Sequence, residues 1–285
     1  MIKQYPHVET ERDGSVLIIR LDNAGAKNAL TREMRYSLRD IVREIEDDRS
    51  VRAVYLTAKG DAFCAGGDLN MLINAHQPWE VHRRFRHANR LFPPLMTLDR
   101  PVVCGVKGYA VGGGMGLALC ADVIIAAESA QFMSGFYRLG VVPDCMALFT
   151  LPRLVGLARA RNFLLTNGTW SAKEAADLGV AAKVVPDADL DAEGLALAQK
   201  LASGPAEIMG LSKLIMLKSF EKSIDDMMLY EDLGQSLAMS GAEFNEGLDA
   251  VSNRRKPDHA AAAAADPTND GLPDLSKPVS SQQDK

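Results

Sequence analysis

The sequence predicts an α/β fold, and three observations predict it. Short apolar runs rich in β-branched residues alternate with segments of helical spacing, two glycine-rich stretches each follow such a run and lead into a helical pattern, and from about Leu190 the pattern is helical. The first strand runs over Val16-Leu17-Ile18-Ile19-Arg20-Leu21. A helix is expected after Thr31, since Met34, Leu38, Ile41, Val42 and Ile45 recur at helical spacing. Val51-Arg52-Ala53-Val54-Tyr55-Leu56 is the next strand, and it leads to the first glycine stretch, Phe63-Cys64-Ala65-Gly66-Gly67-Asp68-Leu69. Val102-Val103-Cys104-Gly105-Val106 precedes the second, Gly108-Tyr109-Ala110-Val111-Gly112-Gly113-Gly114-Met115-Gly116-Leu117, and Val123-Ile124-Ile125-Ala126 follows as a further buried strand. Ser171-Ala172-Lys173-Glu174 has the form of a capping box and Gly179 supplies a stop, so 172–178 reads as a short helix. From Leu190 the apolar set includes Leu195, Leu201, Ile208, Leu211, Ile215, Met228, Leu233 and Leu237. After Pro257 come consecutive alanines and then Asp, Pro, Ser, Gln and Gly, a composition that cannot offset its own ordering entropy. The organisation expected is a core over 1–190, a helical region over 191–257 and a flexible tail over 258–285.

Length and composition narrow the function. A chain of 285 residues holds one large domain with a substantial core. Its net charge of -5 argues against nucleic acid as the main partner. No apolar stretch has the length of a membrane span and the N-terminus has no signal-peptide core, so a soluble cytoplasmic protein is expected. Cys64, Cys104, Cys120 and Cys145 are scattered without a Cys-x-x-Cys pair, which suits a reducing compartment. His82 and His87 stand five residues apart on diverging helix faces, so no metal site is expected. Lys27, the run Arg254-Arg255-Lys256 and the cluster Arg83, Arg84, Arg86 and Arg90 are candidate local charges for an anionic small ligand, each with an ordinary reading as a solvated face.

The glycine stretches carry the chemistry. Each can aim a bare backbone N–H from a turn at the start of a helix, and two such donors converging on one point form an oxyanion hole. Other glycine-rich readings fit poorly: the spacing of Gly112-Gly113-Gly114-Met115-Gly116 lacks the dinucleotide pattern, and no Gly-Lys-Ser/Thr follows to make a phosphate loop.

Taken in this order, the two stretches resemble the crotonase (enoyl-CoA hydratase/isomerase) superfamily. Further matches are Lys27-Asn28-Ala29-Leu30, Asp99-Arg100-Pro101-Val102, Ala121-Asp122-Val123-Ile124, Leu151-Pro152-Arg153-Leu154-Val155-Gly156 and Ala175-Ala176-Asp177-Leu178-Gly179-Val180, so the likeness runs from about Val16 to Pro257. The resemblance implies a ββα spiral core with a C-terminal helical trimerisation region, and homotrimers or dimers of trimers. It implies an acyl-CoA substrate, with coenzyme A part of that substrate and no separate cofactor. The oxyanion donors would be the N–H groups of Gly67 and Gly113. Ala26 and Lys27, with Ala65, Gly66, Asp68 and Leu69 nearby, fall where the family holds coenzyme A.

The chain departs from the hydratases at the proton-transfer positions. Where that comparison places two glutamates, this chain has Gly116 and Phe136, and neither can move a proton. Asp144, in Val142-Pro143-Asp144, instead resembles the single acid/base of the ring-opening, oxepin-forming and Δ3,Δ2-enoyl-CoA isomerases of phenylacetate and fatty acid degradation. One carboxylate is enough to shift a double bond, and the apolar Phe136 and small Gly116 would leave no seat for a hydrolytic water. Asp144 has a plainer reading as a helix N-cap after a proline turn. Phe132, Phe136, Tyr137, Met71, Leu72 and Phe85 are candidates to line an acyl pocket. Alternatives stay open: a hydratase of atypical mechanism, an aryl-CoA dehalogenase with Asp144 as nucleophile, in which the partner histidine's place falls on Asn89, and a non-catalytic acyl-CoA-binding subunit.

Overall fold

The computed structural model describes residues 4–69 and 77–266. Among them, six strands form one sheet in the order β1-β2-β3-β4-β6-β9. β1 (Val8–Asp13) lies antiparallel at the edge beside β2 (Val16–Leu21), and β3 (Ala53–Ala58), β4 (Val102–Val106), β6 (Val123–Ala127) and β9 (Lys183–Val185) continue in parallel. β5 (Tyr109–Val111), β7 (Gln131–Met133) and β8 (Thr169–Ser171) form a second, three-stranded sheet. These three short strands have no counterpart in the sequence reading, because three residues are too few to show a period.

The central strands are buried on both faces, which is why they read as continuous apolar runs. Along β3, Val54 and Leu56 enter one core with Met34, Ile41 and Phe92, while Ala53 and Tyr55 enter another with Val103, Ile125 and Ala198. The first core is closed by α1 (Arg32–Asp47), whose apolar stripe is the one the spacing predicts. Thr31 caps it, its hydroxyl accepting from Met34 N at 3.2 Å. α2 (Pro78–Ala88), a 3-10 turn over Asn89–Leu91 and α3 (Phe92–Met96) lead into β4, and α4 (Gly113–Ala118) follows β5. α5 (Ala147–Val155) and α6 (Leu157–Leu165) come next, and α7 (Ala172–Asp177) starts at the Ser171–Glu174 capping box.

The second core is closed by α8 (Leu190–Ala202), after which α9 (Ala206–Met216), α10 (Ile224–Met239) and α11 (Ala242–Ser252) complete the helical region. Buried ions lock this region to the sheet. Arg52, at the start of β3, pairs with Glu243 of α11 at 2.7 Å and also donates to the carbonyls of Ala202 and Gly204, with both charged side chains under a tenth exposed. Lys213 of α9 reaches Asp122 at 2.7 Å and the Arg100 carbonyl at 2.9 Å, and Asp122 accepts from Val102 N. The Asp99-Arg100-Pro101-Val102 and Ala121-Asp122 matches are thus structural positions, holding strand ends to helices. No helix among the described residues is long and apolar enough to cross a membrane.

The alanine run departs from the sequence reading, which gives a helix there nothing to dock on. His259–Ala265 form α12, packed against α11. Asp258 caps it through Ala261 N and donates its own N–H to Glu246, the His259 ring bonds to the Glu243 carbonyl at 3.1 Å, and Ala263 is buried. Polar groups at the helix start and a small-residue face, not large apolar side chains, make the contact. Residues 267–285 of the expected tail lie outside the described residues.

Arg52→Met strands the Glu243 carboxylate in a buried site with one partner removed. The expected loss is about 3–5 kcal/mol of stability, read as a lower urea midpoint; an unchanged midpoint would show that the ion pair carries no net stability.

Candidate functional site

The two glycine stretches meet at backbone contact. Cys64 N donates to the Tyr109 carbonyl at 2.9 Å and Val111 N to the Cys64 carbonyl at 3.0 Å, so the end of one stretch is stitched along β5 of the other. Gly66 has φ +96°, and a Cβ there would lie 2.7 Å from the Val111 carbonyl oxygen. Gly112 turns at φ 51°, ψ -111°, a conformation open to glycine alone, and hands the chain to α4. Immediately after these turns come Gly67 N and Gly113 N, and neither has an acceptor among the described residues. Such uncommitted N–H groups bind an oxygen that carries developing negative charge.

They open onto a cavity of about 580 Å³. Its described lining is largely apolar, with Leu69, Phe85, Val111, Phe136, Leu139 and Val142 prominent, and Asp144 and Arg35 are its two charged residues. Asp144 is half-buried and reaches the cavity from the loop before α5. It is not the cap of that helix: the N-cap is Met146, and Asp144 contributes only its carbonyl, which accepts from Ala147 N at 3.0 Å. The capping interpretation is therefore corrected, and the reason is backbone geometry. Cys145 (φ 52°) and Met146 (φ 65°) are consecutive non-glycine residues in the left-handed region, so the chain reverses before the helix begins and leaves the carboxylate on the cavity side. Two such residues in a row are costly and persist only where the surroundings enforce them.

The buried Cys145 thiol interacts with both of these charges. Burial pushes its thiol well above the ordinary value, Arg35 pulls it down, and the hydrogen-bonded Asp144 carboxylate pushes it up, so it is a neutral thiol at physiological pH. Gly116 is what lets this loop in: a Cβ at 116 would lie 2.7 Å from Cys145 Cβ. The sequence reading notes only that so small a residue cannot move a proton or seat a water; the structure packs the Cys145 backbone against it. Phe136, buried to 5 % exposure, is part of the apolar lining.

Of the residues singled out from sequence, Gly67, Gly113, Asp144, Ala65, Gly66, Leu69, Phe85 and Phe136 come together around this cavity. Ala26 and Lys27 do not line it; both are exposed, on and just after the 3-10 turn Ala24–Ala26, and the Lys27 carbonyl accepts from Ala65 N at 2.9 Å. Asp68 is half-buried beside the lining. Phe132 is in the core and Tyr137 is partly exposed, neither of them in the lining. Met71 and Leu72 lie outside the described residues, as do the side chains of Arg84 and His87. Arg255 is held by Glu246 and Asp249. Two polar lining residues escaped sequence reasoning. Arg35 carried a signal, since it stands three residues before Leu38 and seven before Val42, on the apolar stripe of α1. Asn89 was noted only as a missing histidine, and its buried Oδ1 has no partner among the described residues.

Comparison with known proteins agrees in kind. A family model for enoyl-CoA hydratase/isomerase matches residues 11–261. The chain is 34% identical over 255 residues to 1,2-epoxyphenylacetyl-CoA isomerase of Escherichia coli K12, covering 88% of this chain and 95% of that one. It is 29% identical over 253 residues to crotonyl-CoA hydratase of Syntrophomonas wolfei, covering 88% and 97%. The crystal structure of an enoyl-CoA hydratase/isomerase from Cupriavidus metallidurans CH34 superposes with a TM-score of 0.85 at 29% identity, covering 90% of this chain and 97% of that one.

Gly116→Ala drives a methyl group into the Cys145 backbone, and the expected cost is about 1–3 kcal/mol. A thermal melt checks it; an unchanged midpoint would mean that the loop carrying Asp144 yields without penalty.

Proposed function

The chain belongs to the enoyl-CoA hydratase/isomerase family, and from that premise we propose that it is an enoyl-CoA isomerase in which Asp144 is the single acid/base. The observation that carries the reading is the pairing of one cavity carboxylate with two uncommitted N–H donors in an otherwise apolar lining. The Asp144 carboxylate takes a proton from carbon 2 of a 3-enoyl thioester. The C–H electron pair becomes a dienolate whose charge rests on the thioester oxygen, and the N–H groups of Gly67 and Gly113 hold that oxygen. The carboxylic acid then returns the proton to carbon 4, and the electrons close a double bond between carbons 2 and 3. No water is consumed and no redox partner is needed. Loss of one such donor in other enzymes costs about 2.7–4 kcal/mol, so the pair accounts for a large share of the required stabilisation.

Hydration asks for a second proton-transfer group, and Phe136 and the packed Gly116 offer none. Ala65, Gly66 and Leu69 form the side of the cavity along which the pantetheine arm would lie, with Asp68 beside them. Ala26 and Lys27, tied to that side through the Lys27–Ala65 backbone bond, would meet the nucleotide end of coenzyme A. The C-terminal helical region exposes Phe220, in the turn before α10, and Ile224, Leu229, Leu233 and Leu237 on α10, an apolar surface that suits burial between copies in a homotrimer or dimer of trimers. Sedimentation of the purified chain reads that state directly, and a monomer at micromolar concentration would overturn it.

The test of the chemistry supplies a 3-enoyl-CoA and a 2-enoyl-CoA separately and follows the absorbance of the conjugated thioester. Isomerisation of the first is expected to far outpace hydration of the second. Asp144→Asn keeps the shape but cannot accept a proton at neutral pH, so it should bind acyl-CoA, lose isomerisation by orders of magnitude and lose exchange of the carbon 2 protons with deuterated water. Full activity in Asp144→Asn, or efficient hydration by the parent, would sink the assignment.

A further inference from the structure

Arg35 is a buried cation with incomplete company. Its side chain is 9 % exposed, and no carboxylate among the described residues pairs with it. Nε donates to the Leu30 carbonyl at 3.2 Å, the guanidinium lies 5.8 Å from the centre of the Phe92 ring, and it bonds to the Cys145 thiol. Its second terminal nitrogen, Nη1, is buried with no partner among the described residues. Unpaired buried charge is expensive, so a cation held this way without a fixed anion calls for an explanation beyond packing.

Its position supplies one. Nη2 lies 3.9 Å from where a Cβ on Gly113 would stand, which places the guanidinium next to one of the two donor residues. The Cys145 sulfur lies 3.1 Å from the same point, and the thiol interacts with both Arg35 and Asp144. Arg35 therefore shares one cavity with the Asp144 carboxylate, where negative charge would start, and adjoins Gly113, where it would arrive on the thioester oxygen. Nothing else ionised competes. The glycine turns, α2 with its following turn, and the Phe136 segment bring no further charged group to the described lining, and Arg32 and Arg39 of α1 are engaged with Tyr36 and Asp40 outside it. The nearby thiols are neutral: burial pushes Cys64 up to about 12 and Cys145 well above its ordinary value.

We propose that Arg35 is a charge-positioning residue, the fixed counter-ion for a negative charge that moves from Asp144 to the oxygen held by Gly67 and Gly113. The cation stays put while the anion migrates, so the cavity keeps one positive and one negative charge before and after proton transfer. This rests on the reading of Asp144 as the acid/base for its kinetic arm, but not for its spectroscopic one.

The experiment compares Arg35→Gln, which removes the charge, with Arg35→Lys, which keeps it. In the spectroscopic arm each change is made in an Asp144→Asn background, and a conjugated 2-enoyl-CoA is bound. Electron density drawn to the thioester oxygen shifts its absorbance to longer wavelength; Arg35→Gln should lose most of that shift and Arg35→Lys should keep it. In the kinetic arm, with Asp144 intact, Arg35→Gln should lower kcat/KM for isomerisation at neutral pH by about 10- to 100-fold, and Arg35→Lys should restore it. A purely structural arginine predicts otherwise: a folded Arg35→Gln protein with an unmoved absorbance shift overturns the proposal. An Arg35→Gln protein that loses the absorbance shift but keeps the parent kcat/KM would overturn the role of the cation in turnover. Full activity of Asp144→Asn is a separate failure, that of the acid/base reading. Should Arg35→Gln not fold, Arg35→Met, of similar length and without charge, takes its place in both arms.

Discussion

The bonds that Cys64 makes with Tyr109 and Val111 are ordinary backbone hydrogen bonds, yet the geometry of the whole cavity depends on them. They hold two chain turns, some forty-five residues apart in sequence, at a separation that leaves no room for side chains between them. Gly66 and Gly114 follow from that demand, since a Cβ at either would run into the other turn. Once the turns are locked, Gly67 and Gly113 emerge on the same side, and the two cores flanking the sheet only have to keep β3 and β4 adjacent for the arrangement to persist.

Asp144 is placed by a different means. The loop before α5 descends onto Gly116, the Cys145 side chain fills the space beneath, and two left-handed residues turn the chain before the helix starts. The carboxylate is thus positioned by a strained backbone resting on a bare glycine, and not by hydrogen bonds to its own oxygens from a helix end. Strain of this sort is commonly found where a functional group must be held against its local preference.

Much of this is legible in the sequence. The apolar runs locate β2, β3, β4 and β6, the Thr31 and Ser171 caps locate α1 and α7, and the two glycine stretches locate the donors, because each of these signals is local. What escaped depends on partners far away in the chain. Strands β5, β7 and β8 exist only because they pair with one another. The packing role of Gly116 was invisible because its neighbour, Cys145, lies on a loop twenty-nine residues on. The alanine run looked undockable because its contacts are polar ones to Glu243 and Glu246 and a close approach of small residues. Arg35 was visible as a charge on an apolar stripe, but only the folded cavity reveals what it stands beside.

The burial of all four cysteines has a practical side. Cys64, Cys104 and Cys120 are shielded and protonated, their thiols raised by burial, so a thiol reagent meets little reactive thiolate in the intact fold. Modification then proceeds only as fast as the surrounding structure opens. Cys104 in the central sheet senses opening of the whole core, whereas Cys145 senses release of one loop. The chain accordingly carries its own clock for two kinds of motion, with no label added and no residue changed.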